Sequence, residues 1–500
     1  MSDYKHLRGI ERESLRMNGD QLARSMHPQA LGSKLTNAHI TVDFAESQLE
    51  LITAPSSSVV DAFLELKNLT AFTLQNMPES EFILNASMPL SLKDDDINIA
   101  CFGESNSGRM KEIYRKGLAL RYGKIMQTIS GLHYNFSFDP QLLERVANEN
   151  GLDTNAQYFS LINHFFEYMW LLPYFFGASP ICAKSSVMIK PDYLSDFDDN
   201  SYLGEFATSL RMSDLGYQSP AQDSLFISYR GLKDYVHDLV QATKTRFAPF
   251  ANFGLYDGEH KRQQLNEAIL QTESEYYSSI RPKQVARRCE RPACALMDRG
   301  VSYLEVRLLD INPFVKNGID RYMAYFVEAL LMTCLLNKPV EYCRQRVARN
   351  RENLSQVVKY GRMPGFQLAI KDHSKLSLAE YGMRLLDDIE AVAMQMGDDY
   401  AHAVSEQRQK LGNPDKTRSA EVVIEATSCG GYDKWILKQS RAFSKSMRQY
   451  PIPRHILQNL QREAEDSHVA EQMLEKSSKD SITDYIDRYY RSAKDCVQGV

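Results

Sequence analysis

Residues 8–16, RGIERESLR, place Glu11 and Glu13 two positions apart, with an arginine before, between and after them. In an extended chain the side chains at i and i+2 share a face. If this stretch is a strand, the two carboxylates therefore project together. Like charges that close repel unless the neighbours of Arg12, water or a metal ion stand between them.

Other stretches read by the same parity. In QTISGLHYNFSF, Leu132, Tyr134, Phe136 and Phe138 make an apolar face, and Gln127, His133 and Asn135 take the opposite one. In VSYLEVRLLD, Leu304, Val306 and Leu308 alternate with Tyr303, Glu305 and Arg307. HITVDF and SQLELIT add Asp43 and Glu50. Strands are expected at 39–44, 47–53, 127–138 and 301–309. Each packs one face on helices and offers one polar face. A solvated sheet surface explains any one of them. Four together, rich in carboxylates and poor in lysine, point to a shared acidic site that needs cations. Oxygen ligands with at most one imidazole suit Mg²⁺ or Mn²⁺ better than zinc.

Long helical periodicities surround these strands. SSVVDAFLELKNLTAFTLQNM carries Val60, Phe63, Leu64, Leu66 and Leu69 near i, i+3, i+4 spacing, and IDRYMAYFVEALLMTCLLNK and LSLAEYGMRLLDDIEAVAMQM repeat the pattern. The class is α+β with an antiparallel or mixed sheet. No domain boundary is marked across residues 1–500; the chain is mainly helical and peripheral from about 340, with a charged helical tail from Pro453 to Lys494.

Composition excludes some functions. A net charge of -5 argues against a general nucleic-acid binder. The apolar stretch YFSLINHFFEYMWLLPYFFGASPICA is broken by His164, Glu167 and Pro173, short of the ~20 residues a membrane span needs, and reads as a buried helix with His164 a satisfied core residue. The eight cysteines are scattered without a CxxC pair. No signal-peptide pattern opens the chain, so the cytoplasm is the expected compartment. FGESNSGRMKEIYRKG, with Arg109, Lys111, Arg115 and Lys116, is not a Walker loop; it reads as a loop entering a solvated helix, with a phosphate or carboxylate site as the alternative. Arg211, Tyr217, Tyr277, Arg281 and Lys283 are isolated signals.

RGIERESLR, HPQALGS, ITVDFAESQLELIT, YRKGLALRYGKIMQTISGLHYNFS, LPYFFGASP, ATSLRMSDLGY, SSIRPK and YLEVRLLDINPF closely resemble the bacterial glutamate–cysteine ligase, type 1 family, in order from about residue 8 to 316. The resemblance implies a glutamine-synthetase-like catalytic fold, with a curved antiparallel sheet forming an active-site funnel. It implies ATP-dependent joining of L-cysteine to the γ-carboxylate of L-glutamate through a γ-glutamyl phosphate, the first step of glutathione synthesis. It implies several Mg²⁺ ions, or Mn²⁺, held by Glu11, Glu13, Asp43, Glu50, His133 and Glu305. A substrate pocket follows at Phe44, Tyr114, Arg115, Leu118, Gln127, Arg211, Tyr217 and Tyr277. Among the residues of the reaction, Arg307 is expected to reach the transferring phosphoryl, Glu305 to position a cation, and Arg211 to hold a substrate α-carboxylate. Expected partners are the three substrates and glutathione as a feedback inhibitor, with no nucleic acid, no membrane and a monomeric state. Relatives of this type carry a further N-terminal helix before the glutamate pair, so packing at the funnel's rim is expected to differ. The rivals are a ligase of the same fold using another amine and a catalytically silent Mg-ATP-binding relative.

Overall fold

The computed structural model describes residues 4–216, 220–223, 225–371 and 374–496. Its principal sheet is built from β1 (Leu7–Asn18), β2 (Ile40–Val42), β3 (Gln48–Ile52), β4 (Leu132–Ser137), β5 (Ile280–Lys283) and β6 (Tyr303–Leu309). Their order is β5-β6-β4-β1-β3-β2; Gln21–Leu22 and Glu81–Ile83 also pair with β1, giving eight strands. Every pairing is antiparallel, which settles the choice between antiparallel and mixed.

The alternation in β1 separates its charges by sign. Glu11 and Glu13 share one face, and Arg8, Arg12 and Arg16 lie on the other, all three almost fully buried. Each arginine has its own partner there. Arg8 forks onto Glu328 at 2.8 and 3.0 Å, and Arg16 pairs with Glu81 at 3.0 Å. Arg12 donates to Asn85 Oδ1 at 2.9 Å and lies 5.2 Å from the Phe443 ring. Glu328 also accepts from the hydroxyls of Tyr134 and Tyr400, at 2.5 and 2.7 Å. Such pairing is what lets charged groups sit in a core at all. The arginines that flank the glutamates therefore do not neutralise them.

Helices α1 (Val59–Asn76), α2 (Asn106–Tyr122), α3 (Thr154–Tyr168), α4 (Arg321–Leu336), α5 (Leu378–Met396), α6 (Asp398–Gly412), α7 (Tyr432–Arg448), α8 (Arg454–Ser477) and α9 (Ile482–Cys496) surround the sheet. The apolar face of β4, through Leu132, Tyr134 and Phe136, joins a core shared with α3, α4, α5 and α6. Phe63, Leu66 and Leu69 of α1 belong to it, whereas Val60 and Leu64 face solvent. The long apolar stretch forms two buried helices, α3 and Leu171–Phe176, and His164 Nε2 donates to the Lys338 carbonyl at 2.9 Å. No helix among the described residues is long and apolar enough to cross a membrane. Cys182 and Cys334 are buried free thiols, and Cys294 is disulfide-bonded, a pairing that the scattered spacing does not announce.

Two local features differ from expectation. Residues 124–127 form a helical turn, not the start of β4, so Gln127 reaches its place from a helix end and not by strand parity. Asp43 lies just past β2, in a turn closed by the Gln48 side chain, which accepts from the amides of Phe44 and Ala45.

Candidate active site

The strand register brings the acids together. Glu11 stands opposite His133 of β4, and Glu13 stands opposite Glu50 of β3. Like charges directly opposite destabilise a sheet, so this pairing is unfavourable unless cations or protons intervene. On the far side of β4, Glu305 pairs in register with Asn135 and with Arg281 of β5. One extra residue on β6 between Val306 and Leu309 forms a bulge, a device that re-aims side chains. The Arg307 amide there bonds the Ser279 carbonyl at 3.0 Å, one step further along the register that pairs β6 with β5.

The result is a cavity of about 270 Å³. One wall carries Glu11, Glu13, Asp43, Glu50, His133 and Glu305; a second carries Phe44, Tyr114, Arg115, Leu118, Gln127 and Tyr277. Arg307, Arg281 and Lys283 close a third side, with Ser274 and Glu275 beside Tyr277. Glu11 accepts from Asn135 at 2.7 Å and meets His133 Nδ1 at 3.1 Å. Glu13 accepts from the Gly131 amide at 2.8 Å and lies 3.6 Å from His133 Nε2. Gln127 Nε2 donates to the Tyr277 hydroxyl at 3.4 Å. Arg115 donates to the Asp43 carbonyl and stacks 4.3 Å from the Phe102 ring.

Charge is divided across the site. Burial pushes Glu50 well above the usual carboxylate range, and the charges of Asp43, Glu11 and Glu13 add to it. Glu13 is raised by burial, with Asp43 adding to the effect. Burial also acts to raise Glu305, but Lys283, Arg307, His133 and Arg281 outweigh it and hold the carboxyl well below that range. Its oxygens lie 3.1 Å from Arg307, 3.3 Å from Lys283 and 3.8 Å from Arg281.

The donor set fits hard cations. Glu11, His133 and Glu305 each offer a ligand atom within 4.8 Å of the others, and His133 Nε2 is buried without a hydrogen bond. An imidazole nitrogen so placed, among oxygens, is what a bound divalent ion would satisfy.

Arg211 lies behind the cavity wall, against the strand that carries Arg307. It is fully buried and does not line the cavity. It sits in the turn Leu210–Met212 beneath β6, where its guanidinium donates twice to the Arg307 carbonyl at 3.1 Å and stands 3.8 Å from Asp310. A Cβ on Gly131 would fall 2.0 Å from its Nη2, so glycine makes the space. In this position it braces the bulge that carries Arg307. Tyr217 lies outside the described residues. Sequence reading noted Arg281 and Lys283 only as isolated residues and missed Ser274 and Glu275. Their one signal was nearness to Tyr277.

The sequence profile described as glutamate–cysteine ligase matches residues 4–357. The chain is 40% identical to the glutamate–cysteine ligase of Bordetella petrii, covering 98% of this chain and 94% of that one. It is 39% identical to that of Pseudomonas entomophila, over 97% and 94% of the two chains. The crystal structure of a Francisella tularensis glutamate–cysteine ligase in complex with AMP superposes with a TM-score of 0.97 at 52% identity, covering 99% of each chain. A bifunctional glutathione synthetase from Pasteurella multocida gives 0.71 at 25% identity, over 88% of this chain and 52% of its own.

Proposed function

The chain belongs to the glutamate–cysteine ligase family, and from that premise we propose how its cavity performs the reaction. The enzyme joins the amine of L-cysteine to the γ-carboxylate of L-glutamate, converting ATP to ADP and phosphate. The observation that carries this reading is the meeting, in one cavity, of an acidic wall, a cationic side and an aromatic pocket drawn from distant stretches of chain.

A carboxylate does not condense usefully with an amine in water, because its oxygen is a poor leaving group. Phosphorylation of the γ-carboxylate to γ-glutamyl phosphate supplies a good one. Glu11, Glu13, Asp43, Glu50, His133 and Glu305 would hold Mg²⁺ or Mn²⁺. When bound, such ions offset the repulsion between the anionic nucleophile and the triphosphate. Arg307 and Lys283, ion-paired with Glu305, take the equatorial oxygens of the transferring phosphoryl. Arg281 adds positive charge behind them. Arg211 holds the Arg307 backbone and so the direction of its side chain. The thiol of cysteine rests among Phe44, Tyr114 and Leu118, with Gln127 and Tyr277 on its polar side. A pocket of this kind favours a thiol over a hydroxyl by only ~1–3 kcal/mol. The walls exclude water that would hydrolyse the acyl phosphate. On the same reading the enzyme is cytoplasmic and monomeric, with glutathione a candidate inhibitor.

Initial rates of ADP release with cysteine, 2-aminobutyrate and ammonia test the assignment. Cysteine should give the highest kcat/KM. Comparable turnover of ammonia would overturn the amine, and ATP binding without cysteine-dependent ADP release would overturn the activity.

A further inference from the structure

We infer that helix α9, none of whose described residues lines the cavity, is a positioning element for the cysteine pocket and acts through Gln271. The inference rests on the function proposed above and extends it to a part of the chain remote from the chemistry.

The start of α2 is not a free anion site. The Asn106 amide donates to Ser478 Oγ at 3.1 Å, and its side chain to the Asp480 carbonyl at 2.9 Å. The link between α8 and α9 thus sits on the first turn of the helix that carries Tyr114, Arg115 and Leu118. Further along, Ile486 of α9 is fully buried against Ile113 of α2 and Leu265. The Tyr490 hydroxyl then donates to the Gln271 carbonyl at 2.7 Å and accepts from Asn266 Nδ2 at 2.9 Å.

Gln271 connects both walls of the pocket. It is fully buried, and its Nε2 donates to the Tyr114 carbonyl at 3.1 Å while its Oε1 accepts from the Leu265 amide at 2.9 Å. Its side chain lies against α2 so closely that a Cβ on Gly117 would fall 2.1 Å from Oε1. Its own amide donates to Glu275 Oε2 at 2.6 Å. Glu275 Oε1 in turn accepts from the Tyr122 hydroxyl at 2.6 Å and from Arg121 at 3.2 Å. Both oxygens of this cavity-lining carboxylate are committed to the scaffold, so it fixes the segment leading to Tyr277. A shift of Tyr490 therefore moves the Tyr114 and Tyr277 sides together and leaves β1, β3 and β4 alone.

The test uses the full chain with Tyr490→Phe, which removes the hydroxyl and keeps the ring that Arg291 lies against at 5.6 Å. Losing a part-buried hydrogen bond of this kind is expected to raise the KM for cysteine ~3–10-fold. The KM values for ATP and glutamate should stay within twofold. Gln271→Met should have the same signature and a larger size, and the double variant should be no worse than Gln271→Met alone, because one route carries both effects. A helix that merely covers the core would lower the melting temperature and the active fraction without splitting the KM values. An unchanged cysteine KM, equal rises in all three KM values, or additive effects in the double variant would overturn the inference. An unmodified enzyme lacking cysteine-dependent ADP release would instead overturn the function on which it rests.

Discussion

Replacing Glu305 and Glu50 by glutamine, one at a time, should affect the metal-free protein in different ways, although both belong to the same acidic set. Glu305 is 2% exposed and has three cations within 3.8 Å: Arg307, Lys283 and Arg281. An amide there leaves buried positive charge without its anion, a loss of ~3 kcal/mol for broken buried pairs. An unfolding entropy of ~2.1 cal/mol/K per residue over 500 residues converts that loss into a fall in Tm of ~3 °C. Glu50 faces Asp43, Glu11 and Glu13, and burial with those neighbours favours its protonated form. An amide imitates a neutral carboxyl closely, so Glu50→Gln should shift Tm by under ~1 °C. Mg-ATP reverses the comparison for Glu50. Metal binding requires deprotonated ligands, so the unmodified protein should gain stability on adding Mg-ATP and Glu50→Gln should gain less. Scanning calorimetry at pH 7, first in EDTA and then with Mg-ATP, reads both effects. Both variants should lose nearly all ligation activity. If Glu305→Gln melts with the unmodified protein in EDTA, or Glu50→Gln falls as far as Glu305→Gln, the division of charge across the cavity is wrong.

Tyr277→Ala removes the hydroxyl that Gln127 bonds and should raise the KM for cysteine ~10-fold with little change for ATP; equal effects on both would contradict its place in the pocket. Gly131→Ala drives a Cβ to 2.0 Å from Arg211 Nη2, an overpacking that should cost ~1–3 kcal/mol and lower kcat through Arg307; unchanged Tm and kcat would refute the brace. His27 has both ring nitrogens buried without hydrogen bonds, and burial, with Lys34 and Arg16 nearby, lowers it to about 3. The unfolded chain binds that proton first, near pH ~6.5. The stability this residue contributes is therefore complete above that pH and is lost progressively as pH falls toward 3, ~2 kcal/mol by pH ~5. His27→Gln should flatten the fall in denaturation midpoint between pH 7 and pH 5, and an unchanged slope would remove His27 from the account.

The acidic wall was legible in the sequence because strand alternation is a local rule. Once RGIERESLR and LHYNFS are strands, the faces of Glu11, Glu13 and His133 follow from counting. Gln127 and Asp43 show the limit of that rule. Both reach the cavity, but from a helical turn and a tight turn, so the parity that pointed to them was not the geometry that delivers them. Arg211 shows a different limit. Its motif marked it as important, but whether a guanidinium meets a ligand or a backbone carbonyl depends on packing beneath β6 that no local pattern records.

The cationic side was hidden for a more specific reason. Its strand, IRPK, is four residues long and contains Pro282, which reads as a break in a ladder. It survives as a strand because it lies at the sheet edge, where a missing amide need not be paired. Only the register then sets Arg281 opposite Glu305 and swings Lys283 to the same carboxylate. Sequence shows how many charges of each sign a site holds, but pairing across strands decides which of them are balanced. That is why two glutamates with the same sequence signature, Glu50 and Glu305, end in opposite electrostatic surroundings.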